Sequence, residues 1–486
     1  MTITSALNNA LSGLHATGRA TDVIATNISN ATTPGYARRE VEVSSTSANH
    51  IGGVTVNGVV RMNNPAILAS RRDAEADFAF ASSINTFLTG LETTLGTPDS
   101  PNALTNQIAD FESQLLLASS RPDAVERLDA AVSSASELAS NIQIASKEIS
   151  QMRSDADSDI NSMVDRLNAA LVELEELNTQ IAEVNIAGLD DSSLLDIRQG
   201  VIDEIHEFVP VKLAQRDHGK VALYSNGGVI LIDGSARQVE FTDANIVTPY
   251  MTLAGGQLSG LSIDGFDVRT DAKSGGFPGG KLAAAFEVRD TLGTDALAQL
   301  DAAARNLVER FQDPAVDPTL LPGDAGLFTD AGLAFDPVDE VGLSERLQIN
   351  AAVDPNQGGE TWRLRDGLNA TAPGAVGQAS LIDALRETLT EQTTPASGDF
   401  GTGQLGLSDV VSSMMSRVGV QRLTSEQSLT FAAVTFNEVS QAERAAGVDT
   451  DTELQQLIVM EQAYAANARV FDTVQNMLDV LMRLGA

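Results

Sequence analysis

Apolar residues near the amino terminus recur at alternating steps of four and three residues. The positions are Ile3, Leu7, Ala10, Leu14, Ile24 and Ile28, with Thr17 and Thr21 in the same register. This spacing predicts an amphipathic helix whose narrow apolar stripe faces a partner helix. Because the segment also contains Gly13 and Gly18, we expect the helix to be marginal alone and to gain its stability from that partner.

The carboxyl-terminal stretch from Thr452 to Leu484 shows the same kind of pattern and is the predicted partner. Four large apolar residues recur there every seven positions, and further apolar residues flank them. The four are Leu457, Tyr464, Phe471 and Leu478, flanked by Leu454, Ala468, Val474, Leu481 and Met482. We expect the two chain ends to pack as an antiparallel or parallel pair. Asp451 or Thr452 is the predicted N-cap, with Glu453 in the first turn.

The strongest periodic signal lies between Asn102 and Val184, which is predicted to be helical except near residues 119–122. Two apolar series repeat there every seven residues. They are Ile142, Ile149, Ala156, Met163, Ala170, Leu177 and Val184, and Ile160, Leu167, Leu174 and Ile181. A free coiled coil and an ordinary long helix of a bundle explain this pattern equally well. Further helices are predicted over 66–95, over 194–208 and from Leu407 onward.

The residue pattern of the remaining segments is typical of strands and turns. A short extended or hairpin region is predicted near 39–60, and a mainly β insertion over 209–280, where Ser225-Asn226-Gly227-Gly228 is a strong hairpin signal. Helices near 281–311 and 380–389 interrupt the region that follows, and residues 347–353 and 361–364 are predicted to be extended.

Together these elements predict a mainly α fold with an inserted β-rich domain, in an elongated subunit of several domains. Residues 1–36 and 450–486 would form a terminal coiled-coil domain. Residues 37–208 and 404–449 would form a helical rod domain with a long bundle. Residues 209–403 would form a β-rich outer domain.

Composition narrows the possible functions. The formal charge is −35, from 66 acidic and 31 basic residues, which disfavours binding to nucleic acid and anionic lipid. No apolar run is long enough to insert into a membrane, and no cleaved secretory signal is visible. The absence of cysteine from the sequence excludes disulfides, thiol catalysis and thiolate metal sites.

Candidate chemistry is sparse. Gly275 to Lys281 has the glycine and lysine spacing of a phosphate-binding loop, but Leu282 stands where Ser or Thr must hold magnesium, so a turn before a helix is the better interpretation. The histidines, at positions 15, 50, 206 and 218, lack metal-ligand spacing. We therefore predict no catalytic, cofactor or metal site, and we expect the protein not to be an enzyme.

Two segments resemble known sequence signatures. Residues 25–39, Ala-Thr-Asn-Ile-Ser-Asn-Ala-Thr-Thr-Pro-Gly-Tyr-Ala-Arg-Arg, resemble the amino-terminal signature of bacterial flagellar axial proteins of the rod, hook and hook-associated classes. Residues 461–470, Glu-Gln-Ala-Tyr-Ala-Ala-Asn-Ala-Arg-Val, resemble the carboxyl-terminal signature of the same group. Within that group the similarity is greatest to the family of hook-associated protein 1, the first hook–filament junction protein. The family's usual Asp-Gln-Arg-Asp run is Asp-Ile-Arg-Gln here, at residues 196–199.

The resemblance implies secretion through the flagellar type III apparatus and assembly as a ring of subunits between the hook and the second junction protein, at the hook–filament junction. Its expected partners are further copies of the chain, the hook protein, the second hook–filament junction protein and an export chaperone. The expected assembly interface comprises Ile3, Leu7, Leu14, Ile24, Ile28, Leu454, Leu457, Tyr464, Phe471, Leu478 and Leu481. The expected signature turn comprises Asn27, Asn30, Pro34, Gly35 and Tyr36. Another axial rod or hook protein, or an unrelated secreted helical adhesin with an inserted β domain, remains an alternative.

Overall fold

The fold is described from a computed structural model covering residues 3–33, 35–45, 52–97 and 99–484. Pro34 of the signature turn and His50 lie outside these residues. The helices are α1 (Ile3–Ser29), α2 (Pro65–Leu95), α3 (Leu104–Ser120), α4 (Val125–Ala187), α5 (Ser192–Phe208), α6 (Gly280–Glu287), α7 (Gly293–Phe311), α8 (Leu343–Arg346), α9 (Arg363–Asp366), α10 (Ser380–Thr390), α11 (Leu407–Ala445) and α12 (Thr450–Leu484). The protein is thus mainly helical.

The strands are short and form small sheets. They are β1 (Arg38–Ser45), β2 (Val54–Met62), β3 (Val211–Gln215), β4 (Val221–Ser225), β5 (Ile230–Asp233), β6 (Ser235–Ala236), β7 (Val239–Glu240), β8 (Leu261–Ile263), β9 (Phe266–Val268), β10 (Phe328–Asp330) and β11 (Leu347–Ile349). The sheets have the strand orders β1-β2, β3-β4-β5-β6, β7-β8-β9 and β10-β11, and the strand pairs in each are antiparallel.

The longest helix of the described residues is α4. Its 63 residues span about 95 Å at 1.5 Å per residue. The half around Leu138 and Ile149 belongs to one hydrophobic core, built with α2, α3, α7, α10 and α11. The half around Ile160 and Leu174 belongs to a second core, built with α5, α6 and the sheets of residues 211–268. Of the two interpretations left open by the sequence, α4 is therefore a long helix of a bundle.

Two asparagines of α4 attach the small sheets to the helix. The Asn178 amide donates to the carbonyl of Val221 at 2.9 Å and accepts from its N–H at 3.0 Å. Asn168 makes the same pair of bonds with Val239, at 2.8 and 2.9 Å. Because an amide side chain offers a donor beside an acceptor, it satisfies backbone groups of β4 and β7 as a neighbouring strand would.

Some predicted elements need correction. Residues 361–364 were expected to be extended, but the backbone turns there, with the N–H of Leu364 donating to the carbonyl of Thr361, and leads into α9. The predicted helix near 281–311 is divided into α6 and α7 by the π-helical stretch Val288–Leu292. That stretch places the buried guanidinium of Arg289 against Asp157 of α4, at 2.7 Å.

Candidate assembly site at the chain ends

The terminal helices α1 and α12 lie antiparallel. Ile3 at the start of α1 shares an open groove of about 480 Å³ with Thr473, Met477 and Val480 near the end of α12. At the opposite end of the pair, the Asn27 amide donates to the Glu453 carboxylate at 3.1 Å. The sequence did not decide between a parallel and an antiparallel pair, and these contacts show that the pair is antiparallel.

Gly13 allows the two helices to approach closely near the middle of α1. A Cβ atom at this position would lie 2.7 Å from Nδ2 of Asn467, which is closer than such atoms normally come. Gly18, also in α1, has no atom within 4 Å of the corresponding point. Only the first glycine therefore has a packing role that alanine would disturb.

Asn27 is the centre of a buried network at the base of the pair. Its Nδ2 group donates to the carbonyl of Arg39 at 2.8 Å and to Glu453. Its Oδ1 atom accepts from the hydroxyl of Tyr36 at 2.8 Å and from the N–H of Arg39 at 2.9 Å. The side chain is fully buried, and all four of its hydrogen-bonding positions are used. An amide is required here, since a carboxylate lacks the two donor hydrogens.

Glu453 joins the first turn of α12 to the hairpin formed by β1 and β2. Its side chain is only 1% exposed, and its Oε1 atom accepts from Nε of Arg38 at 2.6 Å. Arg38 also donates to the Gln456 side chain at 3.3 Å. The N-cap predicted at Asp451 or Thr452 is instead Asp449, whose carboxylate accepts from the Asp451 N–H and the Thr452 hydroxyl.

Asp196 of α5 ties the same hairpin to the helical bundle. Its carboxylate accepts from Arg39 at 2.8 Å and from Arg61 at 2.6 Å, and it also receives the Ala37 N–H at 3.3 Å. Arg61 donates in addition to the side chain of Gln199, one of the positions at which the chain departs from the expected Asp-Gln-Arg-Asp run. Charge-assisted bonds of this kind are stronger than neutral ones. The network thus runs from α12 through α1 and the hairpin into α5.

A second polar group connects α2, α5 and α11 beside this network. Arg71 of α2 pairs with Asp203 of α5 and with Glu443 of α11, while Arg72 also pairs with Asp203. Buried His206 accepts from the N–H of Val211 at 3.2 Å, and its Nε2 lies 3.1 Å from the Asp73 carboxylate. Burial lowers the pKa of His206 below its usual 6.5, although the nearby charge of Asp73 opposes the shift. The lowered pKa and the bond accepted by Nδ1 both favour the neutral imidazole.

The expected interface residues take different positions in the single chain. In α1, Ile24 is buried, whereas Ile3, Leu7, Leu14 and Ile28 are half-buried. In α12, Leu457 and Phe471 are half-buried, whereas Leu454, Tyr464, Leu478 and Leu481 are exposed. The buried residues of α12 are instead Glu453 and Val474.

The signature turn is held by its own polar groups. Asn30 donates to the carbonyl of Thr26 at 2.9 Å, and Tyr36 reaches Asn27. Gly35 has a φ of 77°, a conformation that favours glycine, and its carbonyl accepts from Arg61 at 3.4 Å. Burial raises the pKa of the Tyr36 hydroxyl. These bonds link the described residues of the turn to α1 and to the hairpin.

Sequence reasoning missed the charged members of the network: Arg38, Arg39, Arg61, Asp196 and Glu453. Arg38 and Arg39 directly follow the signature turn, and their position in a strongly acidic chain was a usable signal that carboxylates would pair with them. Over the described ranges there is no cluster of histidine and acidic residues suited to a metal ion. In the same part of the chain, no helix combines the length and apolarity needed to cross a bilayer.

Comparisons with known proteins agree with one another. Residues 88–325 match the family model for the flagellar hook-associated protein FlgK helical domain. Residues 7–36 match the flagella basal body rod protein model, and residues 439–484 match the model for the carboxyl-terminal part of flagellar basal body rod FlgEFG proteins. The chain ends and the helical bundle thus match separate models.

Whole-length relatives and a solved structure were also found. Flagellar hook-associated protein 1 of Escherichia coli is 25% identical, with 99% of this chain and 100% of that protein covered. The Bacillus subtilis protein of the same name is 21% identical, with coverage of 97% and 96%. The flagellar hook junction protein FlgK of Burkholderia pseudomallei has a TM-score of 0.44 at 18% identity, over 55% of this chain and 46% of that one.

Proposed function

Because the chain belongs to the FlgK family of flagellar hook-associated proteins, we propose that it is a structural subunit of the hook–filament junction. In this proposal it is secreted through the flagellar type III apparatus and assembles with further copies of itself through α1 and α12. The terminal pair acts as a coiled coil whose remaining apolar surface is covered by neighbouring subunits.

The observation that supports this proposal is the apolar surface left exposed on α12. Although α12 has 35 residues, eleven large apolar side chains on it are exposed. They are Leu454, Ile458, Val459, Tyr464, Val470, Met477, Leu478, Val480, Leu481, Met482 and Leu484. The 63-residue α4 exposes four, namely Val125, Ile144, Val172 and Ile186. Exposed apolar surface of this density is typical of a protein interface.

The domain organisation is part of the proposal. Residues 1–36 with 450–486 form the terminal coiled-coil domain that makes the joint between subunits. Residues 37–208 with 404–449 form the helical rod domain, and residues 209–403 form the outer domain. The polar network around Asn27 and Asp196 would hold the first of these at a fixed angle to the second, so that assembly of the ends sets the position of the rest.

The hook protein, the second hook–filament junction protein and an export chaperone are the proposed partners. The proposed role is structural rather than enzymatic, because the matching family models and relatives are flagellar rod and hook-associated proteins. The assembled protein would lie outside the cell, in the flagellum.

The proposal is tested by replacing an exposed residue of α12. In a strain whose own copy of the gene is deleted, Leu478→Asp should abolish incorporation and motility while the middle of the chain remains folded. Ala465→Asp, which adds the same charge at another exposed position of α12, is the matched control. A motile Leu478→Asp strain with a normal junction would refute the proposal. Global unfolding of the variant would indicate that α12 belongs to the core of a monomer.

A role as another axial rod or hook subunit is the second candidate, because the rod protein models match both chain ends. Purified hooks distinguish the two possibilities. A junction subunit should bind the distal end of a completed hook, whereas a rod subunit should not. Removal of residues 450–486 should abolish hook binding by a junction subunit. If the chain were instead a secreted adhesin, the shortened chain would keep binding its own target through the middle of the chain.

A further inference from the structure

An open groove of about 650 Å³ lies between α2, α4 and α6, near the middle of α4. The residues that line it come from these helices, from the end of α5 and from the start of the π-helical stretch. Along α4 it extends from Met152 to Arg166, about 21 Å at 1.5 Å per residue. This length matches about six residues of an extended chain. We call it the mid-helix groove.

The two hydrophobic cores meet at the mid-helix groove. Phe87 lines it and belongs to the first core, with Met152 packed against that core. Phe208 lines it and belongs to the second core, with Met163 packed against that one. Both methionines are only half-buried, and their flexible side chains adapt to different apolar groups. A segment bound in the groove would therefore contact apolar side chains of both cores at once.

Gly90 of α2 helps to keep the groove open. A Cβ atom at this position would lie 3.1 Å from the terminal methyl carbon, Cε, of Met152. Glycine inside a helix is destabilising relative to alanine, because it gives up more backbone freedom on folding. A larger residue at position 90 would thus favour the helix, but its side chain would enter the groove.

One rim of the groove carries negative charge that the chain leaves uncompensated. Asp155 and Asp159 lie one turn apart on α4, and both line the groove. Asp155 accepts from the side-chain amide of Gln151 at 2.7 Å. Asp159 has no hydrogen bond or ion pair among the described residues. Burial, and to a smaller extent the like charge of Asp155, raise the pKa of Asp159. A cation placed at this rim would relieve that repulsion.

The cations that line the groove are already paired. Arg166 donates to Glu204 at 2.6 Å, and its guanidinium lies 4.9 Å from the centre of the Phe208 ring. Lys281 pairs with Glu207 at 2.5 Å. Each of these cations has its own carboxylate, so the net charge of the lining remains that of the two aspartates.

We propose that the mid-helix groove docks a short segment of a partner protein that carries apolar side chains beside lysine or arginine. In an extended segment, alternate side chains point to opposite sides. Apolar residues at alternate positions would enter the groove, and the basic residues between them would reach Asp155 and Asp159 at its rim. The inference goes beyond the proposed function, because it concerns the middle of the chain and not the terminal helices.

Charge and shape favour this occupant over others. A second copy brings a formal charge of −35 and is repelled, as are nucleic acid and anionic lipid. Small molecules are typically held in sites that bury about 70–90% of their surface, which an open groove of this length does not provide. A basic and apolar segment is attracted by the rim and covers the exposed parts of both cores.

Peptide binding by the full chain tests the proposal. The probe is acetyl-Ser-Phe-Lys-Leu-Lys-Ser-amide, added to protein whose methionine methyl groups carry a carbon-13 label. The methyl signals of Met152 and Met163, assigned with the corresponding leucine variants, should shift until the site is saturated. The signals of Met460 and Met482 in α12 should remain in place.

Two variants with matched controls locate the binding. Gly90→Leu should abolish the peptide-induced shifts, because its side chain fills the groove. Thr89→Leu adds the same side chain at the neighbouring exposed position and should bind normally. Asp159→Asn should weaken binding roughly threefold, as expected for one exposed ion pair. Asp165→Asn removes the same charge from another exposed position of α4 and should leave the affinity unchanged.

Several results would overturn the proposal. The absence of a saturable shift at Met152 and Met163 would exclude the docking site. Equal binding of a peptide with glutamate in place of both lysines would exclude recognition of basic residues, and equal binding of one with serine in place of phenylalanine and leucine would exclude the apolar contact. Shifts that grow with protein concentration without peptide, and that Gly90→Leu removes, would assign the groove to a second copy instead. The junction role is tested separately by Leu478→Asp.

Discussion

Asn27, near the end of α1, donates a hydrogen bond to Glu453, in the first turn of α12, across 426 residues of chain. Both side chains are withdrawn from solvent. At the other end of the same helix pair, Ile3 faces an open and mostly apolar groove. The pair is therefore fixed by polar contacts at its base and is available for apolar contacts towards its tip.

Removing the carboxylate of Glu453 should loosen both terminal helices. Glu453→Ala removes one acceptor from Arg38 and one from the Asn27 amide, at a cost of about 2 kcal/mol. Hydrogen exchange of α1 and α12 amides measures the loss, and Trp362 fluorescence shows that the middle of the chain is intact. Glu461→Ala, at an exposed position of the same helix, should change exchange little. Equal protection in the two variants would contradict this role for Glu453.

Asn27→Asp should destabilise the base of the pair although the two side chains have almost the same shape. The new carboxylate cannot donate to the Arg39 carbonyl, and it faces Glu453, so we expect a loss of about 3 kcal/mol. The control is Asn30→Asp, at a half-buried position whose side chain has only local bonds, to Thr26 and Thr33, and which should cost less than about 1 kcal/mol. Hydrogen exchange of the α1 amides measures the loss of stability in the two variants. Similar losses would show that the amide of Asn27 is not required at the base of the pair.

The two glycines of α1 should respond oppositely to alanine. Gly18→Ala has free space around it and should stabilise α1 by up to about 1 kcal/mol. Gly13→Ala should lose that gain, because its Cβ meets the side chain of Asn467. Adding Asn467→Ala to Gly13→Ala should restore it, which a double-mutant cycle measures. If Gly13→Ala alone stabilises α1 as much as Gly18→Ala does, this would contradict the close approach of α1 and α12 at Gly13.

The chain should lose stability as the pH falls below about 6.5. Burial holds the pKa of His206 below the ordinary 6.5, so the unfolded chain binds a proton that the folded chain resists. Stability is therefore complete above pH 6.5 and declines towards the lower folded pKa. His206→Gln can still accept from Val211 and donate to Asp73. Thermal unfolding between pH 5 and 7 should show a shallower slope for this variant, and an unchanged slope would exclude His206 as the cause.

Local patterns predicted much of the helical architecture, because apolar periodicity carries the information on which faces are buried. The seven-residue series of Ile142 to Val184 predicted α4, and Asn64-Pro65 predicted the start of α2, where Asn64 indeed accepts from the Ala66 N–H. The short extended or hairpin region predicted near 39–60 is the β1–β2 pair.

The sequence could not predict the contacts that depend on distant residues. Nothing near Glu453 in the chain identifies Asn27 or Arg38 as its partner. The side of α12 that faces α1 could not be predicted either. A second series at heptad spacing, Val459, Ala463, Ala466 and Val470, fits the sequence as well as Leu457, Tyr464, Phe471 and Leu478 do, and periodicity alone cannot rank the two. The contact of Asn467 with Gly13 distinguishes the sides, and it involves an ordinary polar residue.

The central claim is that the chain joins hook to filament through its terminal helices. It is tested most directly by locating the chain on isolated flagella with gold-labelled antibody, using the full chain and a chain without residues 450–486. The account predicts label confined to the hook–filament junction for the full chain and none for the shortened one. Label along the filament or at the rod, or equal labelling of the junction by the shortened chain, would contradict it.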